Sequence, residues 1–174
     1  LGLSRQIGAG GFDVGIYQAR LTDRISWQPD TSGASRPLNL AQTVTQGVEL
    51  GVRAALGRGL SSFVRWRSID DRDMTTGLAV PYAPSSEMRA GILYDGVATR
   101  ANLELQLLGQ RLDGSGAPIG AQAFANGRIV HSARRGFDLF VEVYNLLDVQ
   151  AEPLGHALAT TPGRTIMFGA SLDF

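Results

Sequence analysis

The side chains best able to do chemistry at neutral pH are the two histidines, His131 and His156. They stand far apart and share no ligand spacing, and no serine is set in a nucleophile-elbow pattern with either. A strand histidine and a loop histidine are the readings that fit, and no enzymatic function is expected. Cysteine is absent, which removes disulfides, thiolate nucleophiles and cysteine-built metal sites together. The stretch GSGAPIG (114–120) has the glycines of a phosphate loop but neither its lysine nor a following helix, so it reads as a flexible loop. DDRD (70–73) offers carboxylates of the kind a hard cation prefers, yet the spacing fits no calcium loop and a solvated loop entry is the better reading. FVRWR (63–67) interleaves bases and aromatics like a nucleic-acid patch. On a strand the same pattern puts Arg65 and Arg67 on one face and Val64 and Trp66 on the other. No catalytic residue, cofactor, metal or nucleic-acid partner is therefore expected.

Charge supports this. Sixteen basic and sixteen acidic side chains cancel, so no global field draws the chain to nucleic acid or acidic lipid. Every base is arginine, which suits bidentate, partly buried pairing but follows equally from codon bias. Glycine, 22 of 174 residues, is nearly twice as frequent as usual. No run approaches the roughly eighteen apolar residues of a transmembrane helix.

The elements that position these residues are strands. Period-two alternation recurs in 45–56, 87–95, 100–108, 137–143 and 164–174. Segments 1–7, 11–25, 60–69 and, least cleanly, 123–134 bring the count to nine. Three irregularities stand out. Segment 11–25 switches parity at Tyr17, which suggests a bulge or emergence from whatever covers the strand. Phe63 and Phe140 fall on the polar side of their strands.

Connections alternate between tight, glycine-rich turns (8–11, 57–59, 95–98, 134–136) and long polar segments (26–42, 71–85, 111–122, 148–163) that hold all seven prolines. One rim of tight turns, one of long loops, and strands of about ten residues make the signature of an outer-membrane β-barrel. A soluble sandwich has shorter strands and does not sort its loops this way. The fold class expected is all-β, a transmembrane antiparallel up-and-down β-barrel. Val52, Leu103, Val141 and Phe168 should face lipid. Glu49, Glu104, Glu142 and Ser171 should face the interior, with Arg53, Arg65, Arg67, Glu87, Arg89, Arg100 and Asp138. Trp66 and Tyr94 suit the interfacial girdle.

The closing residues carry a resemblance. VYNLLD (143–148), a loop, PGR (162–164) and a last strand ending at Phe174 resemble the end of TonB-dependent outer-membrane receptors, with Leu147 where that family usually has Phe. QGVELGV (46–52) and VPYAPSSEMRAGILY (80–94) are similar to two further stretches of the family. The motif positions are Asn145, Asp148, Pro162, Gly163 and Arg164. Gly169, Leu172 and Phe174 match the ending that the family's barrels present to the barrel-insertion machinery.

The resemblance implies a barrel of roughly 22 strands around an N-terminal plug. Nine strands cannot make a complete even-stranded barrel. Residues 1–174 are thus expected to be the C-terminal portion, the plug and N-terminal strands lying outside this sequence, and to form a curved open wall. The implied function is an outer-membrane receptor of a Gram-negative bacterium that imports a scarce, large nutrient such as a ferric siderophore. It would be energised by TonB through the N-terminal part and surrounded by outer-membrane lipid and lipopolysaccharide. The alternatives are a passive porin-like or adhesin-like barrel without a plug and a soluble β-sandwich binding module. The substrate-binding residues are not legible.

Overall fold

The computed structural model describes residues 1–29, 35–150 and 162–172. Alternating apolar and polar residues, many of them Val, Ile and Leu, favour pleated backbone, and antiparallel neighbours satisfy its N–H and C=O groups. Nine strands form one sheet in chain order: β1 (Gly2–Ile7), β2 (Gly10–Pro29), β3 (Ser35–Gly57), β4 (Leu60–Asp73), β5 (Ser86–Asp95), β6 (Thr99–Leu108), β9 (Gln122–Arg134), β10 (Phe137–Tyr144) and β11 (Thr165–Leu172). The short strands β7 (Arg111–Leu112) and β8 (Pro118–Ile119) make a separate hairpin within the 109–121 connection. The number of long strands is the one expected from the alternation, and every pairing is antiparallel.

All four tight turns fall where glycine was read as a turn signal. The β3–β4 turn shows why: Gly57, Arg58 and Gly59 have φ of 88°, 52° and 78°, and a Cβ on Gly59 would run into the Asp95 carbonyl oxygen. The long connections lie at the other rim. One expectation fails there. Residues 26–42 are not mainly a loop, because β2 runs to Pro29 and β3 starts at Ser35, and their ladder extends to Pro29↔Ser35. Prolines and mixed polar residues read as loop because the apolar alternation stops. The backbone ladder alone continues through them in unbroken register. β4 likewise continues to Asp73, inside the expected 71–85 loop.

Nor is there a bulge at Tyr17. Pairing of β2 with β3 runs in one register from Gly10↔Ala54 to Thr22↔Gln42. Tyr17 lies on the inner face opposite Gly47, so the outer face acquires Gln18 and Arg20 instead. The parity switch marks the point where the outer face stops being apolar.

Register assigns each side chain to a face. Val52 pairs with Val64, Val64 with Ala90 and Ala90 with Leu105. Leu103 pairs with Gly127, Gly127 with Val143, and Val141 with Phe168. These form one apolar outer face, with Trp66 and Tyr94 toward opposite rims of it. Among the described residues the buried apolar side chains are only Leu40, Val80, Ile119 and Ala125, while Leu103 is 50% and Phe168 82% exposed. No second layer covers that face among the described residues, and water is a poor solvent for it. The edges β1 and β11 share no ladder there, so the wall is open.

Arginine at Leu103 is expected to cost about 2–4 kcal/mol in the intact folded barrel, the range for a midplane lipid-facing site. Arginine at Asn102, one residue away on the inner face, should cost far less. Denaturant titration of the full-length protein in bilayers measures both, and equal costs would contradict the two-faced wall.

Candidate functional site: the charged inner wall

The polar face gathers the charges that the sequence scatters. The ten charged side chains expected inside, and Ser171, share one face, as the register shows. Glu49, Arg67 and Glu87 form one row, and Arg65, Arg89 and Gln106 the next. Arg53, Phe63 and Glu104 occupy a third, Phe63 and Glu104 flanking Gly91. Glu142 pairs with Arg128, and Asp138 and Ser171 are partners further along.

Glu87 organises the centre. It accepts hydrogen bonds from Arg67 Nε at 3.0 Å, Arg89 Nε at 2.9 Å and Gln106 Nε2 at 2.9 Å, with a second contact from Arg67 Nη2. Its side chain is 8% exposed while the two arginines are about half exposed. The carboxylate therefore sits under a cationic canopy whose outer edges stay in water. Arg65 and Arg89 lie directly opposite each other, an arrangement that repels unless carboxylates stand nearby. Glu87 is one such group. Asp13, whose carboxylate lies over Gly51 in the row of Arg65, is another. These residues and Glu49 line a groove of about 310 Å³.

Further pairs extend the polar wall. Arg100 reaches Asp138 at 3.3 Å, Arg53 donates to Gln6 at 3.1 Å, and Tyr144 donates to Glu142 at 2.7 Å. Toward the long loops, Asp71 accepts from Arg24 at 2.7 Å and from Thr45 at 2.8 Å. The chemistry available is recognition of polar and charged groups. Among the described residues no cluster of His, Asp or Glu is arranged to hold a metal ion.

The remaining candidates resolve into structure. Asp70 pairs with Arg72 two residues on, and Asp71 with Arg24, so DDRD is tied up in strand-end pairs. In the 114–120 stretch, the Asp113 carboxylate accepts from the Ser115 hydroxyl and from the Ser115 and Ala117 N–H groups. The Ser115 bond, with these backbone bonds, holds its pKa below the usual carboxylate value. His131 lies on the outer face hydrogen-bonded to Thr99, and His156 lies outside the described residues.

The family-like motif forms a clasp at the base of the β10–β11 connection. Asn145, buried and at φ 49°, donates through Nδ2 to the carbonyls of Val149 and Pro162 at 2.9 and 3.0 Å, and its Oδ1 accepts from Val149 N–H. Its own N–H donates to Asn126 on β9. Asp148 accepts from the Arg164 N–H at 2.8 Å, and a Cβ on Gly163 would stand 3.1 Å from that carboxylate. Asn and Asp tolerate the left-handed backbone that this turn needs at 145 and 148.

Phe63 and Phe140 lie on the inner face, on the polar side where the spacing put them, and the reason is on the neighbouring strand. Phe63 lies over Gly91 and Phe140 over Gly169, each opposite its glycine in the ladder, and a Cβ on Gly169 would come within 2.7 Å of the Phe140 ring. Arg128 covers the other side of Phe140 at 5.3 Å. The ring fills space that the partner strand leaves empty, so Phe breaks the alternation where a glycine faces it. Gly169 thus seats a ring. Leu172 is on the outer face opposite Phe137, and Phe174 lies outside the described residues.

These features define the wall of an outer-membrane-type β-barrel. No protein-family profile matches the chain, and no curated protein sequence does. Solved structures do. The chain is 16% identical to the copper transporter OprC (TM-score 0.77, covering 99% of this chain and 30% of that one). To the ferric enterobactin receptor PfeA of Pseudomonas aeruginosa it is 14% identical (TM-score 0.78, 99% and 30%). To the ferric yersiniabactin uptake receptor FyuA of Yersinia pestis it is 17% identical (TM-score 0.72, 99% and 29%). The chain spans about 30% of the length of these structures, which are transporters and receptors, not enzymes. It has the fold of a TonB-dependent receptor barrel wall.

Replacing Glu87 by Ala would leave Arg67 and Arg89 without their shared acceptor, with Arg65 directly opposite Arg89. The expected loss of stability is about 1–3 kcal/mol, limited by the exposure of the arginines. Urea unfolding of the full-length barrel checks this, and an unchanged midpoint would remove Glu87 from its organising role.

Proposed function

We propose that this chain is the C-terminal part of the barrel of an outer-membrane import receptor in a Gram-negative bacterium. The observation that carries the reading is the division of one sheet into a continuous apolar outer face and an inner face on which ten expected charges meet. A wall of this kind separates lipid from a polar lumen. The named neighbours include receptors for ferric siderophores and a transporter for copper, which supports import of a scarce metal in chelated form as the substrate class. Energy would come from TonB through a plug and N-terminal segment outside this sequence. The mixed charges of the wall suit contact with such a plug or a polar path beside it. On this reading Gly169, Leu172 and Phe174 serve the insertion machinery, and lipopolysaccharide and phospholipid surround the outer face. The long-loop rim faces the medium and the tight-turn rim the periplasm.

Two measurements test it. Single cysteines at Thr76 and Ser115 should react with an impermeant reagent on intact cells, and cysteines at Gly10, Arg58 and Arg135 should not. The reverse pattern would overturn the orientation. Uptake of a ferric siderophore by cells carrying the full-length protein should stop when TonB is deleted. Uptake of small solutes that persists without TonB would instead indicate a passive porin-like barrel.

A further inference from the structure

The outer face carries two grooves among the described residues: one beside Ile16, Gln46 and Asp70 toward the long-loop rim is polar-lined, the other is apolar. Ile92, Tyr94, Leu103, Ile129, Val141 and Val143 surround a groove of about 390 Å³. Its floor follows from two small residues, Ala101 and Gly127, the latter sitting in register between Leu103 and Val143. The groove runs from Val143 and Leu146 to Tyr94 and Ile129, and beyond that end, toward the tight-turn rim, the character of the same face changes. One row beyond Ala101 and Ile129 stand Thr99 and His131, joined by a 2.9 Å hydrogen bond. A bulge beside Asp138 then brings Arg134 opposite Phe137 on the outer face, its guanidinium 5.5 Å from the ring centroid. Arg135 follows in the turn.

Among the described residues, the outer-face positions of β6, β9 and β10 carry no carboxylate. On the inner face at this level Arg100 has Asp138. The arginine at the outer rim is thus left for an external anion, directly beside an apolar channel. An amphiphile with an anionic head and a long apolar tail matches both features at once. Guanidinium groups recognise phosphate oxygens well, and an acyl chain fills a dry groove.

We propose that this groove and rim form a binding site for one glycerophospholipid, its acyl chain lying over Gly127 and its phosphate held at Arg134 and Arg135 beside the Thr99–His131 pair. The inference rests on the membrane-wall reading. It adds that one position on the wall selects a lipid.

The test uses the full-length protein, purified in detergent, delipidated and supplied with phosphatidylglycerol, with bound lipid counted by native mass spectrometry. Gly127→Leu fills the groove floor. A Cβ at this position meets only the Asn102 carbonyl and a Leu103 methyl, both at 3.5 Å, so the wall tolerates it. Arg134→Ala combined with Arg135→Ala removes the head site, and Val14→Leu, on the outer face of β2, is the control. Heat-modifiable mobility on gels reports that each variant is folded. One retained phosphatidylglycerol in the parent and control, with about tenfold weaker binding in both test variants, is the expected result. Equal binding in all four proteins, or diacylglycerol binding as tightly as phosphatidylglycerol, would overturn the site. So would a protein partner covering the face in place of lipid. A protein that stays folded and dispersed without detergent would instead defeat the membrane reading itself.

Discussion

Within hydrocarbon no water is at hand to satisfy a backbone N–H or C=O, and each group left unpaired costs several kcal/mol. A sheet meets this demand by pairing every strand with its neighbours, and the rest of this structure follows from it. Nine strands run antiparallel in chain order, so each pairs with the sheet strand before it and the one after it along the chain. Among the described residues the apolar side chains of these strands then have no second layer to pack against and form the outer surface instead. The polar half of each strand is left on a common inner face. Function on such a scaffold depends on what that inner face and the long-loop rim present.

The inner wall is held by charge pairing in place of a hydrophobic core. Glu87 beneath Arg67 and Arg89 shows the pattern: the buried partner is the acceptor, and the arginines spread its charge outward into the groove. Where a glycine leaves the inner wall thin, an aromatic ring on the next strand fills it, as Phe63 does at Gly91 and Phe140 at Gly169. The clasp of Asn145 and Asp148 fixes the start and end of the β10–β11 connection, so that the loop emerges from a defined base.

Much of this was legible because strand periodicity is short-range. The nine strands, their tight turns and the face of Glu49, Glu104 and Glu142 follow from alternation alone. The length of the β2–β3 hairpin did not, since residues 26–42 have no apolar period to read. Phe63 and Phe140 were visible as exceptions, but their reason lies on another strand and needs the register. The Glu87 cluster draws on three strands, and Asn145 uses a carbonyl seventeen residues away. Such contacts join positions that no local pattern relates. The motif around Asn145 pointed to a family. Its physical task, holding a connection closed, came from the geometry.

The central claim is that one sheet faces lipid on one side and a polar lumen on the other. Spin labels placed singly along β3, β6 and β10 of the full-length protein in bilayers test it most directly, through collision with oxygen and with a water-soluble nickel chelate. Labels at Val52, Leu103 and Val141 should be relaxed by oxygen and shielded from nickel, while labels at Glu49, Glu104 and Glu142 should show the opposite, alternating residue by residue. Accessibility to nickel without alternation, on both faces of these strands, would contradict the account.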